Sequence, residues 1–342
     1  MTATGGTRAG GLRGRLAGLA ELFPGLLVAI IVALAATFLS EHYGGPVMLF
    51  ALLLGMPLYF LSQEGRCAKG IQVASKQVLR VGVALLGARI TASAIAELGL
   101  APIVIVLVAV VSTILLGGLL ARRLGLSRQF GTLTAGATAI CGASAALAIS
   151  SVLPKHPRHE RDTIFAVVGV TTLSTLAMIF YPLLTAALGF DDVQAGLLFG
   201  GTIHDVAQVV GAGYAVSVEA GDVATVTKLL RVALLVPTVL AIAFLYRAEL
   251  KAEGGRARLP VPGFLFGFIA LVAINSLGLL PAPVQGGLQD LSRWCLVTAI
   301  AALGMKTSIK ALLQVGGRAV ALIVVETLFM LGLVLALLLA VA

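Results

Sequence analysis

The stretch Gly131-Thr-Leu-Thr-Ala-Gly-Ala-Thr-Ala-Ile-Cys-Gly-Ala-Ser-Ala-Ala-Leu-Ala-Ile-Ser150 decides how the rest of the chain is read. It consists of Gly, Ala, Ser, Thr and one Cys with almost nothing bulky, and it sits among long apolar runs. In hydrocarbon, an interrupted helix survives only where its freed N–H and C=O groups are buried in protein or face a cavity. Two readings follow. The small residues serve close helix packing, or the helix breaks at about Gly136 to Gly142. In the second case a half-helix N-terminus turns free N–H groups and a positive dipole end toward an anion, as at the interrupted helices of secondary transporters.

Composition sets the frame for that stretch. Of 342 residues 59% are hydrophobic and 11% charged, and the mean hydropathy is +1.06, which excludes the ordinary soluble classes. The expectation is an all-α polytopic membrane protein, since a span needs about 20 mostly apolar residues. A net charge of +9 would suggest nucleic acid in a soluble protein. Here the Lys and Arg cluster in a few loops, as membrane topology demands, so no nucleic-acid partner is expected. Cys67, Cys141 and Cys295 are widely spaced without CxxC, which indicates neither a disulfide framework nor a metal knuckle. Arg8, Arg13 and Arg15 precede Pro24 and an apolar run with no A-x-A site after it, so this run reads as a retained first helix behind a cytoplasmic tail, residues 1–21. Residues 22–342 form a single transmembrane domain, with no cofactor expected.

Apolar blocks fall at about 22–40, 46–62, 70–90, 100–121, 128–152, 162–188, 194–217, 224–246, 262–280, 288–305 and 313–341, which makes eleven segments. The basic groups Arg66/Lys69, Arg122/Arg123/Arg128, Arg247/Lys251/Arg256/Arg258 and Lys306/Lys310 share one side if the segments alternate, and that side is the cytoplasm by the positive-inside rule. The loop Lys155-His-Pro-Arg-His-Glu-Arg161 lands outside if segment 5 spans. It returns inside if segment 5 is a re-entrant hairpin, with Asp191 and Asp192 then outside and segment 7 a matching hairpin from the opposite face. Two broken spanning helices and two opposed hairpins both stay open, and the charge rule favours the hairpins.

An internal repeat is also legible. Ser75-Lys-Gln-Val-Leu-Arg-Val-Gly-Val-Ala-Leu-Leu-Gly-Ala-Arg-Ile-Thr91 aligns with Ser292-Arg-Trp-Cys-Leu-Val-Thr-Ala-Ile-Ala-Ala-Leu-Gly-Met-Lys-Thr-Ser308, ending in Leu-Gly-x-[Arg/Lys]-x-[Thr/Ser]. Segments 3 and 10 run in opposite directions in this topology. Residues of about 70–122 and 288–341 are therefore candidate inverted repeats, with the site near the midplane between the halves.

The candidate site draws on both small-residue segments, 128–152 and 194–217. The first offers Thr132, Thr134, Thr138, Cys141, Gly142, Ser144 and Ser150. The second contains Gly200-Gly-Thr-Ile-His-Asp-Val-Ala-Gln-Val-Val-Gly-Ala-Gly213, in which His204 and Gln208 are one helical turn apart and share a face if helical. Ionisable groups at depth mark polar pathways, so His204 and Asp205 are read as a proton-coupling pair, or Thr202 or Asp205 as a cap for a helix starting at the break. The binding set is Thr138, Cys141, Gly142, Ser144, Thr202 and Gln208. Lys228 pairs with Asp205 or neutralises an anion, Arg231 snorkels to an interface, and Arg89 and Lys306 anchor at interfaces. Glu326, deep in the last segment, needs a partner that the sequence does not name. His204 with Asp205 lacks a further ligand at metal spacing.

At these residues the chain resembles the YeiH-type sulfate exporter family of bacterial inner-membrane proteins, through residues 134–145, 200–213 and the Leu-Gly-x-[Arg/Lys] helix ends. Residues 86–186 also resemble the bile-acid/sodium symporter pattern: a Gly-x-x-x-Thr helix end, a further span, a Gly/Ser-rich broken helix and then Val-Thr-Thr-Leu-Ser-Thr. The resemblance implies the cation:proton antiporter/anion transporter superfamily, a panel-plus-core fold with two interrupted helices, an inner-membrane location and dimerisation. The expected function is secondary transport of a small anion, plausibly sulfate, sulfite or a sulfonate, by alternating access, and the chain is not expected to be an enzyme. The alternatives are another organic anion, cation/proton antiport, an intramembrane enzyme using His204/Asp205, or a channel. No GxxxxGK[ST] motif for ATP-driven pumping occurs.

Overall fold

The structure, a computed structural model, describes residues 8–247, 249, 263–307 and 317–341. The side chains of Arg8, Arg13 and Arg15, and residues Lys251, Arg256, Arg258, Ser308 and Lys310, lie outside that description. The described residues are mostly helical, with no strand among them. We number the helices by segment: α1 (Arg8–Tyr43), α2 (Val47–Leu58), α3 (Ala68–Val73, continued through a π turn to Ala88), α4 (Ala101–Arg123), α5a (Arg128–Ala139), α5b (Ala143–Ser150) and α6 (His159–Leu188). There follow α7a (Asp192–Thr202), α7b (Val206–Val216), α8 (Val218–Leu245), α9 (Gly263–Ser276), α10 (Ala282–Gly304) and α11 (Gly317–Val341). Each of the eleven apolar blocks becomes one helix or one broken pair. Five helical stretches, in α1, α4, α6, α8 and α11, are long and apolar enough to cross a membrane.

Both small-residue segments break, and both fold back on themselves. In segment 5 the chain leaves α5a at Ile140, Gly142 N–H donates to Ala137 O (2.9 Å), and Gly142 turns the corner at φ +61°. A left-handed corner suits glycine because it carries no Cβ. The α5b helix then returns beside α5a, so that Ile149 packs directly on Gly136. The two ends of the hairpin meet, since Phe130 at the start of α5a stacks on Phe165 at the start of α6, with centroids 5.6 Å apart. In segment 7 the break is Ile203 to Asp205, and Gly196 of α7a and Gly213 of α7b both press on Ala220 of α8. That shared level is possible only if α7b doubles back along α7a. Local chemistry sets each entry: Ser127 caps α5a through Phe130 N–H (3.1 Å), Asp191 and Gln194 form a capping box on α7a, and Ser217 caps α8 through Ala220 N–H (3.0 Å).

The contacts fix the direction of every long helix. One end of the molecule gathers Gly125, Ser127, Arg158, Arg161 and Arg318 around a single cavity, and Arg128 stacks on Tyr246 at the end of α8. The opposite end gathers Pro46, Pro182, Phe190 and Val216. The α5 hairpin thus enters from the basic end and the α7 hairpin from the other. Each is followed by a long helix running the opposite way, α6 and α8. The helices with matching sequence, α3 and α10, lie antiparallel side by side, with Ser292 Oγ donating to Gly82 O (2.7 Å) and Gln285 Nε2 to Ala88 O (3.1 Å).

Two apolar clusters organise the packing. One is centred on α1, α2, α3, α9 and α10, and the other on α4, α5a, α5b and α11; α6, α7a and α8 contribute to both, and the buried face of α7b packs in the first. The small residues of α5a also serve close approach to α4, since a Cβ on Gly131 would lie 2.7 Å from Gly117 O. The packing reading and the break reading of this stretch therefore describe its two halves.

Candidate functional site

The tips of the two hairpins meet in the middle of the molecule, and α8 ties them together. Breaking α5 and α7 leaves carbonyls at the C-terminal ends of α5a and α7a without helical partners. Lys228 Nζ donates to Ile140 O (2.8 Å), Ile203 O (2.9 Å) and His204 O. Arg231 donates through Nε to Ala139 O (2.9 Å), through Nη1 to Gly200 O and Ile203 O (3.1 Å each), and through Nη2 to Thr138 O (2.8 Å). Both side chains are fully buried. Two cations thus face two converging helix C-termini, the end of the helix dipole that favours positive charge. This corrects the expectation that Arg231 snorkels to an interface: carbonyls at the two breaks draw it inward. Lys228 likewise holds carbonyls, and no ion pair links it to Asp205 among the described residues.

The other half-helix end is handled by Asp205. Its Oδ1 accepts from Ala143 N–H (3.1 Å), the first residue of α5b, while its own helix α7b has no side-chain cap. The sequence reading left the α5b N-terminus free for an anion and placed Asp205 as a cap on its own helix. Instead Asp205 caps the opposite hairpin. Its backbone N–H donates to Ser174 Oγ of α6 (3.0 Å), and Thr171 of α6 and Lys306, just past the end of α10, act on its carboxyl. Asp205, Val206 and Ala143 are partly exposed and Ser144 is exposed, so the crossing opens to the surface at this point.

The remaining candidates separate into those at the crossing and those turned away from it. Cys141 and Gly142 form the corner, with Gly142 packed on the Asp205 carboxyl. Thr138 is buried, its hydroxyl donating to Glu326 Oε2 (3.3 Å). Thr202 is buried and donates to its own helix at Leu198 O (2.5 Å). The expectation that His204 and Gln208 share a helical face is also corrected. His204 lies in the break before α7b starts, its Nδ1 toward Thr138 O (3.1 Å) and its Nε2 toward Thr327 Oγ1 (3.0 Å). Gln208 points to α6, donating to Thr175 Oγ1 (3.3 Å), and its Oε1 has no partner among the described residues. Thr132 and Ser150 lie toward the basic end, against Tyr246 and against His159 and Thr163. Arg89 is no simple interfacial anchor: it pairs with Asp222 (3.1 Å), which also accepts from Tyr214 OH (2.5 Å). Lys306 is exposed.

Sequence reasoning missed Thr171, Ser174, Thr175 and Thr327 as parts of this network. The first three lie within Val170-Thr-Thr-Leu-Ser-Thr175, a polar run in an apolar helix, and that run was the available signal. Gly142 yields a direct prediction. A Cβ there would sit 2.6 Å from Asp205 Cγ at a positive φ, so Gly142→Ala is expected to displace the carboxylate and cost about 1–3 kcal/mol. Thermal unfolding in detergent should show the loss, and an unchanged midpoint would contradict the geometry.

A family model described as Conserved hypothetical protein 698 matches residues 24–339. The chain belongs to this family. Relatives within it include a UPF0324 membrane protein of Chlorobaculum tepidum, 54% identical over 92% of this chain and 88% of its own length. UPF0324 membrane proteins named TauZ from Paracoccus denitrificans and Paracoccus pantotrophus are 51% and 50% identical, over 90% and 91% of this chain and 92% and 93% of theirs. The family membership agrees with the YeiH-type resemblance, and these relatives are named as membrane proteins throughout.

Proposed function

We propose that this chain is a secondary transporter of a small sulfur-containing anion, with sulfonates such as taurine as the first candidates beside sulfate and sulfite. The observation that carries the reading is the meeting of two opposed hairpin tips over Lys228 and Arg231, with an opening at Asp205 and Ser144. Interrupted helices with their ends at one midplane point are the ion and substrate sites of secondary carriers. At the hairpin tips the two buried cations face the one carboxylate of Asp205, with the Glu326 carboxyl set behind α5a, and this balance supports an anion over a cation. The relatives named TauZ, a taurine-related name, point to the sulfonate class.

In this reading the two hairpins are re-entrant, one from each face, and α3 to α6 and α7 to α11 contain inverted units that rock about the crossing. The Arg-rich end is cytoplasmic by the positive-inside rule, which places the N-terminus inside a bacterial inner membrane. An anion at the Asp205 opening meets the hydroxyls of Ser144 and Thr171, the ammonium of Lys306 and the N-terminal N–H groups of α5b. It competes with the Asp205 carboxylate for the last of these. Binding that releases Asp205 from Ala143 would loosen one hairpin from the other, a way for substrate to favour the change of access.

The test is flux of radiolabelled taurine, sulfate and sulfite into proteoliposomes, with and without a pH gradient. Saturable uptake of at least one is expected, weakened at least about tenfold in Asp205→Asn, which removes the charge that caps α5b in the substrate-free state and so uncouples substrate binding from release of the hairpin. Sealed, correctly loaded vesicles that show no flux of any of the three would remove the sulfur-anion reading.

A further inference from the structure

The deepest ionisable group outside the crossing has a built surrounding of its own. Glu326 of α11 is completely buried. Its Oε1 accepts from Thr134 Oγ1 (2.9 Å) and its Oε2 from Thr138 Oγ1 (3.3 Å), both on α5a. Space for the carboxyl comes from Gly117 of α4, where a Cβ would fall 2.5 Å from Oε1. No cation pairs with it among the described residues. A carboxyl held only by threonine hydroxyls keeps its hydrogen bonds in either protonation state, because a hydroxyl can donate to a carboxylate or accept from a carboxylic acid.

His204 has a matching property. Its Nδ1 faces a carbonyl, Thr138 O, which only accepts, so Nδ1 carries a hydrogen. Its Nε2 faces Thr327 Oγ1, and that hydroxyl also lies 2.8 Å from Ile323 O. When Nε2 is bare, the Thr327 hydroxyl donates to the ring. When Nε2 is protonated, the ring donates to Thr327 and the hydroxyl turns to Ile323 O. Thr138 therefore joins the two groups, through its hydroxyl to Glu326 and through its carbonyl to His204, and Thr327 follows Glu326 in sequence.

We propose that Glu326 and His204, linked through Thr138, form a proton-binding site behind the α5 hairpin, separate from the opening at Asp205. This rests on the transporter reading for its role and on the geometry alone for its existence. A proton taken from water onto a Glu326 oxygen converts one accepted hydrogen bond from α5a into a donated one and removes the negative charge beside it. Thr138 sits two residues before Ile140, where α5a ends, so the change reaches the carbonyls that Lys228 and Arg231 hold. Around the pair, α8 contributes Arg231, which reaches Met330 one turn beyond Glu326 (3.5 Å), and Lys228, which donates to His204 O; Asp205 follows His204 in the break. Gly169 of α6 packs on Ile323 of α11, and Gly201 of α7a on Val334 of α11.

Infrared difference spectra of the purified protein, recorded on a pH step without substrate, test the site directly. A carboxylic-acid C=O band is expected in the wild type, absent in Glu326→Gln and shifted in frequency in Thr138→Val. A wild-type spectrum without such a band, or one that Glu326→Gln leaves unchanged, overturns the proposal. If Glu326→Gln does not fold, the Thr138→Val shift decides alone, and an unshifted band overturns the proposal. Absence of flux of taurine, sulfate and sulfite alike in sealed vesicles counts against the transport reading and leaves this spectroscopic result standing. Where flux is found, Glu326→Gln should keep counterflow of taurine while losing its dependence on the pH gradient.

Discussion

Arg231→Met is expected to leave little correctly assembled protein. Met fills much of the volume of the stem but donates nothing. Ala139 O and Gly200 O lose the guanidinium outright, while Ile203 O keeps Lys228 and Thr138 O keeps His204. A buried polar group left without a partner costs about 1–3 kcal/mol, so the two carbonyls together cost roughly 2–6 kcal/mol, a large part of the stability of a protein domain. The half-charges of two helix C-termini also lose one of the two cations that face them, Lys228 alone remaining. Arg231→Lys is not expected to rescue, because an ammonium lacks the planar fork that reaches both hairpins at once. Yield of monodisperse protein and its midpoint of unfolding in detergent measure the effect. A variant with wild-type values would mean that the carbonyls find other donors and that the guanidinium is not what joins the tips.

Lys228→Met is expected to abolish transport at a cost to the fold similar to that of Arg231→Met. Ile140 O and His204 O lose their Lys228 bond without a remaining cationic donor, since Ile203 O keeps Arg231. What disappears is the cation nearest the point where Ile140, Ile203 and His204 converge, and with it half of the buried positive charge at the crossing. With its three N–H groups held by carbonyls, Lys228 acts on the anion through its charge; a charge several Å away at an effective dielectric of about 20 contributes about 1.5–3 kcal/mol, which at 1.4 kcal/mol per tenfold corresponds to roughly 10- to 150-fold in binding. Initial rates of taurine uptake should fall by at least that factor, toward the level of empty vesicles. Lys228→Arg should retain partial uptake. Wild-type rates in Lys228→Met would show that the anion is held elsewhere and that Lys228 serves assembly alone.

The sequence by itself determined the class of protein, the eleven helical segments and the places where two of them break. Those features are local. A run of apolar residues long enough for a span needs no partner to be read, and a Gly/Ala/Ser/Thr stretch within one marks where bulk is absent. The break came out at Ile140 to Gly142 within the expected Gly136 to Gly142. His204, Asp205 and Lys228 were legible as special because ionisable groups are costly at that depth. The pairings were not legible. Asp205 caps a helix 62 residues away, Glu326 binds threonines 192 and 188 residues away, and Arg231 reaches carbonyls 92 and 93 residues away.

Nothing in the local pattern of Arg231 distinguishes a side chain that snorkels outward from one drawn inward, since the attraction comes from carbonyls that appear only once both helices have broken. Likewise the choice between spanning and folding back was open in the sequence, because half-helices of the same composition serve either path. In the structure, tertiary packing folds each segment back on itself: Ile149 fits onto Gly136, and Gly196 and Gly213 both meet Ala220, contacts that exist only when each segment turns back at its break.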